Sequence, residues 1–401
     1  MDKDDIYESK VLVDDLRSAL MPTYGDYGVV IKKAEGCRLF DVNDNVYLDF
    51  LAGVSVVSLG HANQVVNQAV VDQISNFGHL SNFFLNETTS KLAHRIASYI
   101  SSDTSDKGKV FFSNSGAEAN ETAIKLVRRY GGGQRYKIVT CLNSFHGRTM
   151  GALAATGQPG KQMPFQPLPP GFIYVEFDNV EQMRDAVSDP LVVAVMVEII
   201  QGEGGVVDAS PGYFEEVERL CKEREVLLVV DEVQTGMGRT GQMFAFSHFG
   251  LDPDVVTLSK ALGNGFPIGA TWARTSVANT FVPGDHGSTF GGSPSSSAAA
   301  LAVFDEIERR GILDHVVEVS DYLRSRLIEL DIVHIVSGMG LLLGVRLKRP
   351  VAKEIVARSL RCGLVLNALS DRIIRVAPPL VVSKDEIDEA LAVFSKVSSD
   401  L

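Results

Sequence analysis

The amino-acid sequence predicts an α/β fold: a large domain built on a seven-stranded, mostly parallel sheet, and a smaller α+β domain. Three observations predict it. Between residues 109 and 273, short β-branched runs alternate with helical patterns, the order expected of a parallel sheet covered by helices. The apolar runs at 191–200 and 226–230 are continuous, as strands buried on both faces require. After the glycine- and serine-rich stretch 291–297, an alanine-rich helical pattern leads into a segment with its own helices and strands, ending in 385–397.

Taken in order, the first fifty residues carry Arg38-Leu39-Phe40-Asp41-Val42 and Val46-Tyr47-Leu48-Asp49-Phe50 around Asn43-Asp44-Asn45, a hairpin expected to join the small domain. Strands are expected over 109–113, 137–141, 172–176, 192–199, 226–231, 255–259 and 268–273. Between the first two, Ala119, Ala123, Leu126, Val127 and Tyr130 recur at helical spacing, so a helix should run from near Ala117 to Gly131-Gly132-Gly133. The chain thus divides into an N-terminal segment 1–55 that contributes to the small domain, a large domain 56–295 and a small C-terminal domain 296–401.

With 401 residues, 45% of them hydrophobic, the chain has the length and composition of a globular protein. Fifty acidic against 38 basic residues, a net charge of -12, argue against a broad nucleic-acid surface. The longest apolar runs fall far short of the roughly 20 residues that span a bilayer. The acidic start Met1-Asp2-Lys3-Asp4-Asp5 has no apolar stretch behind it, so neither a secretory signal nor a transit peptide is expected. Cys37, Cys141, Cys221 and Cys362 are too scattered for a zinc site or thiol exchange; reduced buried thiols and a cytoplasmic location follow as expectations.

Ligands of open α/β sheets bind beyond the carboxyl ends of the strands. Lys260, in Thr257-Leu258-Ser259-Lys260-Ala261-Leu262-Gly263-Asn264-Gly265, sits at such an end before a glycine-rich turn. A desolvated, cation-lined pocket would make its amine neutral and able to condense with an aldehyde, with pyridoxal phosphate the obvious one; alone, the residue also reads as a solvated strand-end lysine. Ser113-Asn114-Ser115-Gly116-Ala117-Glu118 offers free amides, a hydroxyl and a helix dipole to a phosphate, or else an ordinary capping box. Asp231 ends a strand apolar on both faces and needs a partner such as a protonated pyridine nitrogen, with Gln234 within reach of the ring's phenolic oxygen; a turn cap is the plainer role. Phe145 offers a stacking face, and Arg148 a bidentate fork for a carboxylate. His146, between them, is more often packing than catalysis. The 286–292 loop supplies hydroxyls and amides. Arg375, inside the apolar strand Ile373-Ile374-Arg375-Val376, pairs either with a protein acid or with a substrate carboxylate.

In this combination and order, segments 114–121, 144–159, 231–241, 259–269 and 375–380 resemble class III aminotransferases, pyridoxal-phosphate enzymes of fold type I, and within that class the acetylornithine aminotransferases. The resemblance covers nearly the whole chain. It implies that Lys260 carries the cofactor, that Ser115, Gly116 and Ala117 hold its phosphate, that Phe145 stacks on its ring, and that Asp231 and Gln234 tune it. It also implies a homodimer with shared active sites, in which Thr289 reaches the neighbouring subunit's phosphate and Ser288 lines the substrate pocket. Arg148 is implied for one substrate carboxylate and Arg375 for the α-carboxylate of glutamate or 2-oxoglutarate, with Glu203 pairing with that arginine while a terminal amine reacts. Val54 stands where ornithine aminotransferases tend to carry a tyrosine, which suits an acylated α-amine; Tyr24 is a further candidate for the pocket edge. The implied reaction passes the terminal amine of N-acetylornithine to 2-oxoglutarate, with succinyldiaminopimelate, ornithine or 4-aminobutyrate aminotransferase, or a catalytically silent homologue, as alternatives. The chain departs from the family pattern at Ile199, at Asn63-Gln64 after His61 and at Ser295 to Ser297.

Overall fold

A computed structural model describes residues 13–25, 27–101, 105–399 and 401. The acidic start of the chain lies outside the described residues.

A seven-stranded sheet organises the centre, in the order Lys109–Ser113, Gly269–Ala273, Val255–Leu258, Leu227–Asp231, Val192–Glu198, Lys137–Cys141, Phe172–Val175. Only Gly269–Ala273 runs against its neighbours. The continuous apolar runs are explained by the packing of both faces. In Leu227–Asp231, Leu228 and Val230 point into the main core, whereas Leu227 and Val229 join a second cluster with Ala123, Ile124 and Val127. Those three lie on the Gly116–Tyr130 helix, which covers that face and ends at the glycines expected to stop it. Its start is fixed by Ser115, whose Oγ accepts from the Glu118 amide at 3.2 Å, while Glu118 reaches back to the amide of Asn114 rather than to that of Ser115.

The hairpin Arg38–Asp41/Val46–Asp49 forms as its sequence suggests, and its second strand pairs in parallel with Leu364–Val365 near the other end of the chain. A separate antiparallel sheet, Val333–Met339, Leu342–Leu347, Ile373–Val376 and Asn367–Ala368, carries Arg375. The Pro294–Arg309 helix packs against Gln64–Asn76 and Glu87–Ile100, two helices that the strand pattern leaves unannounced. Arg239 is fully buried and ties three segments together: Nη1 donates to the carbonyls of Leu341 and Pro378, and Nη2 to Ser58 Oγ at 3.2 Å. Burial pulls its pKa down to about 9 against the opposing charge of Asp49. Among the cysteines, Cys37, Cys141 and Cys221 are buried free thiols, but Cys362 is exposed because it follows the end of the Ala352–Arg361 helix at the surface. No helix among the described residues is long and apolar enough to cross a membrane.

Candidate active site

The carboxyl ends of the central strands bring the chemical residues together. Asp231 closes its strand and is buried; its Oδ2 accepts from Asn120 Nδ2 at 2.8 Å and from His146 Nδ1 at 2.7 Å, and its Oδ1 from the Val233 amide at 2.9 Å. A carboxylate can only accept, so the His146 proton sits on Nδ1. Burial pulls the His146 pKa down, but its bond to Asp231 and that residue's charge outweigh burial and hold it above the ordinary histidine value. Its Nε2 is buried without a partner among the described residues. His146 is thus placed as a buried partner of Asp231, where the sequence left its role undecided.

Lys260 opens a tight turn with φ +45°, a conformation uncommon outside glycine and often found where function imposes strain. Two neighbours hold that turn: Ser259 Oγ donates to Ile268 O at 2.7 Å, and Asn264 accepts from the Leu59 amide at 2.8 Å. Burial, then the charge of Arg375, lower the Lys260 pKa to about 8, against the opposing pull of Asp231, Glu203 and Glu198. Glu198 ends the strand beside that of Asp231 and accepts from the Phe145 amide at 2.9 Å; burial pushes its pKa up to about 7.

Arg375 is 3% exposed at its side chain and Glu203 28%, and Nη1 meets Oε1 at 2.6 Å. Asn367 Oδ1 takes a second bond from Nη2 at 2.9 Å, leaving Nε unpartnered among the described residues. Burial alone would raise the Glu203 pKa; the charge of Arg375 and the bond to it bring it below the ordinary value. Gln234 packs so tightly on Gly202 that a Cβ there would lie 1.6 Å from its Oε1, while its buried Nε2 lacks an acceptor among the described residues. The Gly116 and Ala117 amides, in the first helical turn after Ser115, likewise have no acceptor among them. At Gly116 a Cβ would meet Val233 Cγ1 at 2.7 Å, so only glycine lets the turn lie this close.

This architecture is shared. The sequence profile described as Aminotransferase class-III matches residues 21–397. The chain belongs to the class-III aminotransferases. An acetylornithine aminotransferase of Caldanaerobacter subterraneus subsp. tengcongensis is 45% identical, with 98% of this chain and 99% of the relative covered. Among solved structures, the ornithine aminotransferase of Toxoplasma gondii crystallized with oxidized glutathione superposes with a TM-score of 0.92 at 31% identity, covering 99% of this chain and 97% of that one; it has partial occupancy of PLP at its active site. The acetylornithine aminotransferase of Elizabethkingia anophelis gives a TM-score of 0.86 at 30% identity, covering 98% and 99%.

Within this class-III aminotransferase, the remaining expected residues are placed unevenly. The Phe145 ring is half-buried, with Arg148 Cζ 5.5 Å and Lys161 Nζ 5.0 Å from its centroid. Val54 is half-buried in a turn whose four residues, Ala52 to Ser55, all have φ between 52° and 65°; Asp49 Oδ1 fastens it through the Leu51 and Ala52 amides. A left-handed conformation costs about 1–2 kcal/mol at each non-glycine position. Ser288 is tied to Asn114, whose Nδ2 lies 3.1 Å from its Oγ, beside the Ser115 turn. Thr289 is exposed on a surface hollow of about 790 Å³ that Ser288, His79 and Phe83 also line, apart from Lys260. Tyr24 is 90% exposed and lies outside any strand or helix, and Tyr27 beyond it bonds through its hydroxyl to Leu366 O at 3.0 Å.

Asn120, Glu198 and Lys161 are site residues that the sequence reading did not single out. Asn120 stood as the one amide on an apolar helix face beside Ala119 and Ala123, and Glu198 ends an apolar strand just as Asp231 does. Lys161 carried no such signal.

Proposed function

We propose that this aminotransferase moves the terminal amine of N-acetylornithine to 2-oxoglutarate, giving N-acetylglutamate semialdehyde and glutamate, a step of arginine biosynthesis. The observation that carries the reading is the half-buried Lys260, its desolvated amine with a pKa near 8, near the Arg375–Glu203 pair and at the same cleft end as Asp231. Pyridoxal phosphate, when bound, supplies the aldehyde and the electron sink. The residues present fit it: open Gly116 and Ala117 amides and the Ser115 hydroxyl for a phosphate, Phe145 for a flat ring, the Asp231 carboxyl group for a pyridinium proton and the Gln234 amide, unpartnered among the described residues, for a phenolic oxygen.

The protein's own groups then divide the work. Asn120 and His146 aim the Asp231 carboxylate, so that a proton held against it stays put. Lys260 Nζ, once free and neutral, takes the proton from the carbon bearing the reacting amine. Arg148 holds the carboxylate far from that carbon. While a terminal amine reacts, Glu203 occupies Arg375; when glutamate or 2-oxoglutarate enters, Arg375 takes its α-carboxylate. The aliphatic Val54 leaves room for an acylated rather than a free α-amine, which favours N-acetylornithine over ornithine.

In this reading residues 56–295 form the cofactor-binding unit, with 1–55 and 296–401 beside it; the pairing of Leu364–Val365 with Val46–Asp49 supports that division. The protein works as a homodimer in which Thr289 and Ser288 serve the neighbour's site. Phe83 at 96% and Leu85 at 98% exposure beside that loop support a covering second copy, and sedimentation of a monomer would sink this part.

The test adds each donor to purified enzyme and follows the visible cofactor band together with glutamate formation. N-acetylornithine should discharge the band faster than ornithine, 4-aminobutyrate or succinyldiaminopimelate; a reversed order overturns the substrate. Lys260→Ala should fold with an unchanged circular dichroism spectrum yet sustain no turnover, and repeated turnovers by that variant would refute the assignment.

A further inference from the structure

Two cations share the Phe145 ring, and neither has a carboxylate. Arg148 and Lys161 lie 5.5 and 5.0 Å from its centroid, and among the described residues neither side chain makes a hydrogen bond or ion pair. The Lys161 ammonium is half-buried and feels Glu203, Arg148, Arg375 and Glu198, all of them groups of the active site. Burial lowers its pKa first, and the two arginines add to that against the carboxylates. Like charges around one ring repel, so an arrangement without an anion persists only if the backbone enforces it.

The backbone does enforce it. Lys161 sits in the short turn Pro159–Gln162, fastened at both ends by amide side chains. Gln158 Nε2 donates to Ser144 O at 2.8 Å, one residue before Phe145, and the buried Gln162 Nε2 donates to Thr156 O at 2.6 Å and to Leu153 O at 3.2 Å. Lys161 is thereby set above the ring by residues outside the site itself.

We propose that Lys161 is the second cation of the Arg148 carboxylate site: a substrate carboxylate distant from the reacting carbon is held between the Arg148 guanidinium and the Lys161 ammonium over Phe145. Lys161 is then a specificity-determining residue for both half-reactions, whereas Arg375 serves only one. Arginine supplies a planar fork and lysine a point charge, so the two recognise one carboxylate from different directions without competing for the same lone pairs. The inference rests on the substrate reading above.

The test uses the holoenzyme with Lys161→Met and Lys161→Arg. Kinetics are compared for N-acetylornithine, for glutamate and for N-acetylputrescine, the same acylated donor without a carboxylate; the dissociation constant of glutarate is titrated separately. With Lys161→Met, KM for N-acetylornithine and for glutamate should rise roughly tenfold, the span of one charge-assisted hydrogen bond, with kcat within about twofold. The preference for N-acetylornithine over N-acetylputrescine should fall by a similar factor, glutarate should bind roughly tenfold more weakly, and Lys161→Arg should recover most of each loss. An equal loss on N-acetylputrescine, or unchanged KM and glutarate affinity, overturns the proposal. If wild-type enzyme ignores N-acetylornithine but turns over glutamate, the substrate reading falls, while the glutamate and glutarate measurements still decide Lys161.

Discussion

Replacing Glu203 with alanine isolates the pairing proposed to let one pocket accept two unlike substrates. The bond to be removed is the 2.6 Å contact between Arg375 Nη1 and Glu203 Oε1. Whenever an α-carboxylate takes Arg375, that bond must open, and a hydrogen bond between charged groups is worth about 1.5–3 kcal/mol net. Without Glu203, glutamate no longer has to displace it, so kcat/KM for glutamate relative to N-acetylornithine should rise roughly 10- to 150-fold at about 1.4 kcal/mol per factor of ten. Glu203→Gln, which keeps the volume and a neutral acceptor, should fall between wild type and alanine. Each half-reaction is followed in single turnover through the visible cofactor band, with melting curves to confirm folding. A ratio unchanged within about twofold in a folded variant would refute the reasoning, since Glu203 is the carboxylate paired with Arg375 among the described residues.

Other outcomes follow from the buried groups. The Lys260 pKa near 8 means that its amine is mostly charged below pH 8, so reconstitution of apoenzyme by pyridoxal phosphate should accelerate roughly tenfold per unit up to about pH 8 and then level off; a flat profile from pH 6 to 8 contradicts it. Between about 8 and the ordinary 10.5 the unfolded chain keeps a proton that the native apoenzyme has released, so this group's contribution to stability grows as pH rises through that window and is lost as pH falls through the folded pKa. Asn120→Ala removes the amide between Asp231 Oδ2, Thr257 Oγ1 and His146 O, and should cost about 1–3 kcal/mol in urea unfolding. An unshifted urea midpoint would show that Asp231 is satisfied without it.

The central sheet is legible in sequence because its strands are buried on both faces, so Val192–Glu198 and Leu227–Asp231 read as unbroken apolar runs ending in an acid. The same burial makes Asp231 conspicuous: a carboxylate there must have partners, and the helix residue Asn120 and the loop residue His146 supply them from other parts of the chain. Gln64–Asn76 and Glu87–Ile100 are less legible because each buries only three residues against the Pro294–Arg309 helix, too narrow a stripe to stand out. Lys161 is illegible for a different reason. Its position is decided by hydrogen bonds from Gln158 and Gln162 to carbonyls, and backbone carbonyls carry no signature in a sequence. The sequence marks Arg148 and Arg375 as candidate carboxylate binders, but only folding brings Lys161 near the first and Glu203 to the second.

Arg239 bears on the timing of catalysis. By holding Pro378, Leu341 and Ser58 at once, it locks the strand of Arg375 to the loop behind Val54 and to the neighbouring hairpin. Exchange between the two substrate geometries is then left to the torsions of the partly exposed Glu203, with the buried Arg375 staying in place. Partly exposed side chains relax within nanoseconds, whereas hinges take microseconds to milliseconds. The pocket's side chains therefore re-equilibrate before each encounter, so what passes from one half-reaction to the next is the amine itself rather than a pocket shape, and the net direction of amine flow follows the substrate ratios set against the reaction's equilibrium constant.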